Sequence, residues 1–242
     1  GNLARLEKGE TINKLLVNNY STISLGYAGL SECVRYMTGK SHTNSEAKPF
    51  ALSIMRHLND KCDEWRAKTN VSFSLYGTPI ESTTYTFAKN LQKRFGIIKD
   101  ITDRNYITNS YHIPVKFPIS IKRKIDIEAP YHKLCNAGHI SYIEVDDSPT
   151  GEQIMDIINY AYKNTNISYI GINFHIRYCK SCGSSVNSNE KKCPKCNSID
   201  IQGISRVTGY LSLDERFGPG KFEERADRRS HTGSNMNNYG FI

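Results

Sequence analysis

Long hydrophobic runs are missing from this 242-residue sequence. No apolar stretch approaches the ~20 residues that a membrane-spanning helix requires, so we predict no membrane association. The N-terminal segment GNLARLEKGE has neither an initiator Met nor a signal-peptide pattern, which favours a cytoplasmic protein with a cut N-terminus. Internal repeats and long low-complexity segments are also missing, so the length predicts one or two globular domains.

Positive charge exceeds negative charge, giving a formal net charge of +8. A polyanionic partner would account for such an excess. The lysines, however, are spread along the chain rather than gathered in one basic stretch. The charge therefore does not favour nucleic-acid binding, and we predict no nucleic-acid partner.

Strands alternate with helices in the apolar pattern of the sequence. The predicted helices cover residues 3–19, a segment capped by Ser45, residues 78–95 and residues 150–163. The predicted strands are STISL, VSFSLY, ISIKRKIDIE, HISYIEV and ISYIGINFHI. This alternation predicts an α/β fold with βαβ units and parallel pairing. The expected divisions are residues 1–176, a cysteine-rich segment at 177–200, and a glycine loop, charged helix and tail at 201–242.

Four of the seven cysteines form the pattern C-x2-C-x10-C-x2-C, namely Cys179, Cys182, Cys193 and Cys196. Two thiolates three residues apart in a tight turn can share one tetrahedral ion, and two such turns supply four sulfur ligands. Gly183 and Asn197 follow these turns, and both residue types tolerate the left-handed backbone that the turns need. The spacing predicts a closed structural Zn²⁺ site, ahead of an iron site or disulfides.

The segment GTPIES supports two interpretations. In the first, Thr78 caps a helix, Pro79 takes its first position and Glu81 completes a capping box, which requires no further function. In the second, the free amides of the helix N-terminus behind Gly77 contact a phosphate, and Ser82 belongs to the same binding segment. A carboxylate repels phosphate, so Glu81 would then point elsewhere and exchange a proton.

The stretch RVTGYL places Gly209 where helix or strand periodicity is weak. A glycine is usually present for its backbone freedom. Glycine is also the residue on which a backbone radical can be stored, because loss of one α-hydrogen leaves a planar carbon between two amides that a side chain would crowd. Gly209 is therefore a candidate radical site, and we expect Arg206 and Tyr210 to hold its loop.

The stretch RVTGYL resembles the glycyl-radical motif of the anaerobic (class III) ribonucleotide reductases. The paired cysteine turns also resemble this family. So do four further segments, namely SLYGTPIEST, TDRNYITNSYH, NAGHISYIEV and GKFEERADRRSH. The resemblance extends over residues 21–231. It departs at Thr208, where a Cys or another small residue is more familiar, although the radical is not stored on that side chain.

The resemblance implies the C-terminal part of a ten-stranded α/β barrel, followed by a small zinc ribbon and a glycyl radical loop. Gly209 would hold the radical, which a separate radical-SAM activase forms after translation, and the four cysteines would bind Zn²⁺. The loop at Gly77, Thr78, Pro79 and Ser82 would face the ribonucleotide substrate, with Glu81 on the ribose side. The radical passes to a cysteine inside the barrel, and its thiyl form abstracts the ribose 3′ hydrogen. Loss of the 2′ hydroxyl follows, with formate as the reductant in much of the family.

The thiyl cysteine of this family lies well upstream of the zinc and glycine segments. Cys33, Cys62 and Cys135 do not have its sequence context, and we interpret them as structural thiols. We therefore expect an excised fragment or one piece of a split anaerobic ribonucleoside-triphosphate reductase, with the upstream half as a partner and a homodimer as the complete enzyme.

Two alternative functions are open at this point. A zinc-ribbon nucleic-acid module would use Lys180, Lys191, Lys192 and Lys195, but it leaves RVTGYL without a role. A spare glycyl-radical subunit, which replaces a damaged radical domain, would carry the glycine but would not need the α/β region over residues 21–170.

Overall fold

The computed structural model describes residues 6–77, 80–145, 149–187 and 190–232. Its helices are α1 (Asn13–Leu16), α2 (Leu30–Thr38), α3 (Lys48–Thr69), α4 (Ser82–Phe95), α5 (Ile121–His132), α6 (Gly151–Asn164) and α7 (Pro219–Asp227), and Asp214–Arg216 forms a 3-10 turn. Its strands are β1 (Thr22–Gly26), β2 (Ser72–Tyr76), β3 (Ser141–Glu144), β4 (Ile170–Asn173), β5 (Ile176–Cys179), β6 (Ile201–Arg206) and β7 (Leu211–Leu213). Within these ranges, none of the helices has the length and apolar character of a membrane span.

Two parallel strand pairs organise the first part of the chain. β1 pairs with β2 across the helical connection α2–α3, and β3 pairs with β4 across α6. An isolated bridge between Tyr76 and Gly138 joins the end of β2 to the segment that leads into β3. Parallel strands need such crossover connections, so the predicted βαβ units are confirmed.

Each parallel pair has its own buried core. The first core packs α2 and α3 against β2 and includes Met55, Leu75 and Tyr111. The second packs α5 and α6 against β3 and includes Ile125, Ile143 and Ile157. The helical stripe predicted for residues 150–163 faces this second core, and Thr150 caps α6 through a full capping box with Gln153.

A three-stranded antiparallel sheet follows, in the order β5-β6-β7. β6 pairs with β5 along one edge and with β7 along the other, so the cysteine turns and the RVTGYL stretch are joined by one strand. We call β6, residues 207–210 and β7 the glycine hairpin.

The predicted strand ISIKRKIDIE is wrong, because the segment forms the start of α5. The side chain of Ser120 accepts a hydrogen bond from the amide of Arg123 and so caps the helix. Ile121, Ile125 and Ala129 then recur every four residues and are buried together. The isoleucines also fit a period of two, so periodicity alone could not separate the two structures.

Three predicted helix starts are corrected. Only Asn13–Leu16 is helical in the described part of residues 3–19, where Gly9, Asn18 and Asn19 have positive φ. α3 begins at Lys48 rather than after a Ser45 cap, with a proline in its first turn. α4 begins at Ser82, four residues later than predicted.

Two further segments differ from their predictions. ISYIGINFHI forms two strands, β4 and the beginning of β5, rather than one. The C-terminal charged helix ends at Asp227, because Arg228 is extended. The predicted tail after Thr232 lies outside the described residues.

Candidate functional site: a four-cysteine cluster and a buried-charge glycine hairpin

The four predicted metal ligands converge in the structure. The sulfur atoms of Cys179, Cys182, Cys193 and Cys196 all lie within 4.8 Å of one another. The Sγ atoms of Cys179 and Cys196 are 3.5 Å apart, and those of Cys182 and Cys193 are 3.6 Å apart. The cluster is therefore a group of four thiols that could hold a metal ion.

The two cysteine turns repeat the same backbone pattern. Gly183 has a φ of 72° and donates its amide to Cys179, and Asn197 has a φ of 60° and donates its amide to Cys193. The left-handed backbone predicted at both positions is confirmed. This backbone turn directs the two sulfur atoms of each pair to the same side, so that both can bind one ion.

The spacing of the sulfurs fits a tetrahedral metal. Four sulfurs around Zn²⁺ are about 3.8 Å apart when each Zn–S bond is about 2.3 Å. The measured spacings of 3.5 and 3.6 Å lie close to that value.

Gly209 lies at the tip of the glycine hairpin. The turn is closed by a hydrogen bond of 2.9 Å from the amide of Val207 to the carbonyl of Tyr210. Thr208 is 2% exposed, whereas Gly209 is exposed and Tyr210 is 51% exposed. A cavity of about 170 Å³ separates the tip from the β3–β4 pair, with Gly209 and Gly171 among its lining residues.

Arg206 ties the glycine hairpin to strand β3. Its guanidinium forms an ion pair with Glu144 and stacks on Tyr142, at 3.7 Å from the ring centroid. The backbone of Glu144 is held in turn by His231, whose amide donates to its carbonyl at 2.8 Å and whose Nδ1 accepts from its amide at 2.9 Å. Burial lowers the pKa of His231 to about 3, so the ring is neutral and able to accept.

The end of helix α7 and Arg228, the residue that follows it, also support the turn. Arg228 donates to the carbonyls of Arg206 and Val207 at 2.6 and 3.0 Å, and to Glu224 at 2.9 Å. Glu224 is buried and also pairs with Lys221. Buried charges are tolerated where they are paired and hydrogen-bonded, as these are.

The Glu144 carboxylate is charged within this network. Burial alone would raise its pKa, but the charges of Arg206 and Arg228 and the amide of Asn173 outweigh burial and lower the pKa to about 2. The ion pair with Arg206 is therefore present at neutral pH.

Acid should release the glycine hairpin through Glu144. Because its folded pKa lies below the ordinary value of 4.5, the carboxylate stabilises the fold above about pH 4.5, and this contribution is lost as the pH falls towards 2. We expect the difference in unfolding free energy between the unmodified chain and Glu144→Gln to shrink over that window. Urea denaturation from pH 6 to 2 measures it, and a pH-independent difference would contradict it.

Glu81 contacts the glycine hairpin directly. Its carboxylate accepts a hydrogen bond of 3.1 Å from the hydroxyl of Tyr210, and this bond raises the pKa of the tyrosine. Glu81, Ser82 and Tyr210 line a cavity of about 200 Å³ beside the hairpin. The predicted capping box is wrong, because α4 begins at Ser82 and Glu81 occupies the N-cap position without a side-chain cap bond.

Gly77 is the buried residue that precedes this cavity-lining segment. A β-carbon there would lie 2.8 Å from the ring of Tyr111, so glycine is required for the close approach. Its amide donates to the carbonyl of Gly138 at 2.9 Å and is therefore already engaged. Thr78 and Pro79, predicted to bind substrate beside it, lie outside the described residues.

The other cysteines differ in their surroundings. Cys62 is buried in the first core, as predicted. Cys135 is buried there too, its Sγ atom is 3.3 Å from the hydroxyl of Tyr27, and burial raises its pKa to about 11. Cys33, predicted to be structural as well, is instead exposed on α2.

Several residues that hold the hairpin were not singled out from the sequence. Glu144 is far along the chain from Glu224, Arg228 and His231, and they meet around Arg206. A usable signal was the density of charge in GKFEERADRRSH, where Lys221 and Glu224 are buried and Arg228 pairs with Glu224.

The matched relatives share one description. A family model described as anaerobic ribonucleoside-triphosphate reductase matches residues 2–231. The chain is 34% identical to the Escherichia coli protein of that name over 95% of this chain and 34% of the relative. It is 33% identical to the enterobacteria phage T4 protein of that name over 94% of this chain and 37% of the relative. The chain thus spans about a third of the length of the curated relatives it matches.

Solved structures show a similar fold. An anaerobic ribonucleotide reductase superposes with a TM-score of 0.74 at 17% identity, covering 88% of this chain and 34% of the other. The Thermotoga maritima anaerobic ribonucleotide reductase with dATP bound in its specificity site gives 0.69 at 18% identity, covering 83% and 33%. At these identities the similarity concerns the fold, and it confirms the predicted fold class.

Proposed function

Because the chain belongs to the anaerobic ribonucleoside-triphosphate reductase family, we propose that it is the part of such an oxidoreductase that stores the glycyl radical, on Gly209. Ribonucleotides are its substrate class and deoxyribonucleotides its products. The chain contributes the C-terminal portion of the catalytic subunit, and the activity belongs to the complete enzyme.

The placement of Gly209 carries this proposal. The glycine is exposed at a hairpin tip beside the parallel strands β3 and β4, while the residues just before it are fixed by buried charges. A radical that must pass to another group needs an accessible carbon on a rigid support. An organic radical signal in the complete, activated reductase that disappears in Gly209→Ala tests the proposal.

The chemistry divides between this chain and its partners. A radical-SAM activase removes one hydrogen atom from the Gly209 α-carbon. The cysteine that becomes the thiyl radical lies in another part of the reductase in this proposal. Cys62 and Cys135 are buried in the first core, and Cys33 lines a different cavity from the one beside Tyr210. The complete enzyme is a homodimer in this proposal.

The segment around Glu81 is the proposed substrate contact. Ser82 is exposed at the start of α4 and shares a cavity with Glu81 and Tyr210. The phosphate contact was predicted for Gly77 and Thr78. Because the Gly77 amide is engaged by Gly138, Gly77 shapes the segment, and the phosphate contact falls to Thr78 and Ser82, since Pro79 has no N–H to donate. Glu81 faces the ribose and exchanges a proton there.

The four cysteines bind a structural Zn²⁺ in this proposal. The ion would hold the two turns that lead into β6, and its binding free energy would contribute to folding of the ribbon. The thiols must stay reduced, which supports a cytoplasmic location. We divide the chain into a barrel portion at 1–176, the zinc turns at 177–200 and the radical loop, helix and tail at 201–242.

Replacing Cys193 with Ser should release the metal. We expect about one zinc ion per chain in the unmodified protein and a loss of most of it in the variant, because structural sites need all four ligands. Metal analysis of protein purified without chelator measures this. Cys33→Ser, which changes an exposed thiol outside the cluster, should keep its zinc, and full retention in Cys193→Ser would contradict a four-cysteine site.

The family match favours this function over the two alternatives. It covers residues 2–231, including the α/β region that a spare radical subunit would not need. A nucleic-acid module would use the exposed side chains of Lys191, Lys192 and Lys195 on the ribbon, but it leaves Gly209 and the buried charges beside it without a role. Salt-sensitive binding to DNA or RNA would restore that alternative.

A further inference from the structure

Three successive carbonyl groups before Gly209 are held by two arginines. Arg228 donates to the carbonyls of Arg206 and Val207 at 2.6 and 3.0 Å, and Arg206 donates to that of Thr208 at 3.5 Å. The carbonyl carbon of Thr208 is bonded directly to the nitrogen of Gly209, so both belong to one peptide group. A guanidinium group therefore lies at the outer limit of hydrogen-bonding distance from the peptide group on one side of the glycine.

Arg206 is itself tightly fixed. It is 8% exposed, lies on the face of Tyr142 at 3.7 Å and pairs with Glu144 on β3. The glycine's other neighbour, Tyr210, is 51% exposed, and its hydrogen bonds join it to the side chain of Glu81 and to the amide of Val207 rather than to buried charges. The turn is therefore rigid before Gly209 and exposed from Gly209 onwards.

This asymmetry matters for a radical on the α-carbon. Such a radical is stabilised only when the flanking amides lie in the plane of the carbon, so that the nitrogen on one side and the carbonyl on the other share the unpaired electron. The Arg206 guanidinium lies 3.5 Å from the Thr208 oxygen. This contact is longer than the roughly 2.7–2.9 Å of a strong charge-assisted bond, and it restrains one of these planes by placing a positive charge beside its oxygen. A planar guanidinium can stack and donate in several directions at once, which an ammonium group cannot do.

We infer that Arg206 is a positioning residue for the radical, which fixes the plane of the Thr208–Gly209 peptide against β3. The inference rests on the proposed function of Gly209. The positive charge of Arg206 is not enough for this role. Arg206→Lys keeps that charge beside Glu144, but it loses the stack on Tyr142 and the second N–H group that reaches the Thr208 carbonyl.

The first test needs no radical. Hydrogen exchange of the peptide covering residues 205–213 reports on the Val207 amide that closes the turn. We expect Arg206→Lys to speed this exchange about tenfold, the equivalent of one lost hydrogen bond. Arg225→Lys is the matched control. Arg225 lies on α7 and contacts the side chains of Ser205 and Asp214 rather than a carbonyl of the turn. In Arg225→Lys, hydrogen exchange of this peptide should therefore stay near that of the unmodified chain.

The second test uses the complete reductase and its activase. The unmodified enzyme should show a doublet in electron paramagnetic resonance, and Arg206→Lys should change the α-hydrogen splitting and shorten the radical's lifetime. If the unmodified enzyme forms no radical at Gly209, the proposed function fails. If it does, and Arg206→Lys has unaltered splitting and exchange, the positioning role fails.

Two further outcomes are decisive. A lower radical yield with unaltered splitting and exchange would place the effect of Arg206 on the activase and would overturn the inference.

If Arg206→Lys loses its fold, judged by zinc content and circular dichroism, Arg228→Lys replaces it. That variant loses the paired carbonyl contacts without touching the stack on Tyr142 and should alter the splitting and exchange in the same direction, and unaltered values would overturn the inference.

Discussion

Gly209→Ala should abolish the organic radical in the activated, complete reductase. In the unmodified enzyme the one remaining α-hydrogen of Gly209 splits the signal into a doublet, and a methyl group would crowd the planar carbon that carries the unpaired electron. Electron paramagnetic resonance under anaerobic conditions measures both. Gly218→Ala is the matched control, since a β-carbon at Gly218 meets open space, and its signal should persist.

Air should then mark the same carbon chemically. Oxygen adds to the radical carbon of Gly209 to give a peroxyl, whose breakdown breaks the backbone within that residue. This releases a C-terminal piece that carries Tyr210 and the residues after it. Mass spectrometry of activated, air-exposed enzyme detects this piece. An activated sample that stays full-length, or that breaks elsewhere, would exclude Gly209 as the radical site.

Glu81→Gln should lower turnover of the complete reductase by a factor of about 100 or more, with the fold intact. General acid–base groups contribute roughly this much to a rate, and an amide cannot exchange the proton. The amide of Gln can still accept a hydrogen bond from Tyr210, so the contact with the hairpin should survive. Single-turnover and steady-state rates, normalised to radical content, separate a loss of proton transfer from a loss of radical.

A second glutamate near a helix start serves as the control for this change. Glu152 lies exposed in the first turn of α6, and Glu152→Gln should leave turnover within about twofold, as surface substitutions away from a site usually do. Near-normal turnover in Glu81→Gln would remove its chemical role. Since α4 begins at Ser82, a capping-box function at Glu81 could not then explain its presence.

Local chemistry made the metal cluster predictable. The spacing of Cys179, Cys182, Cys193 and Cys196 and the backbone tolerance of the residues that follow the turns are properties of short segments. The structure brings all four sulfurs within 4.8 Å. The helix over residues 150–163 and the strand VSFSLY were predictable for the same reason, because each segment has an apolar face. The strand HISYIEV is confirmed as β3, and it is buried on both faces.

For other elements, the sequence of the segment is compatible with both a strand and a helix, or with more than one helix start, and contacts with the rest of the chain select one. ISIKRKIDIE has isoleucines that suit both a strand and a helix, and the cap at Ser120 together with packing against α6 selects the helix. Helix α4 begins at Ser82 rather than at residue 78. Before it, Gly77 packs closely against Tyr111 and donates its amide to Gly138, so that residue is held by tertiary contacts. Tertiary contacts of this kind override local propensity.

Residue type and spacing within a few turns of chain were enough to predict the α/β class and the cysteine ligand set, and the resemblance of RVTGYL to a family motif made Gly209 the candidate radical site. How that glycine is held depends on contacts between distant parts of the chain. Arg206, Glu144 and Arg228 carry charges that the interior accommodates because folding brings their partners within hydrogen-bonding distance, and the neutral His231 holds the backbone of Glu144. The contact between Tyr210 and Glu81 likewise joins residues 129 positions apart, which no local pattern encodes.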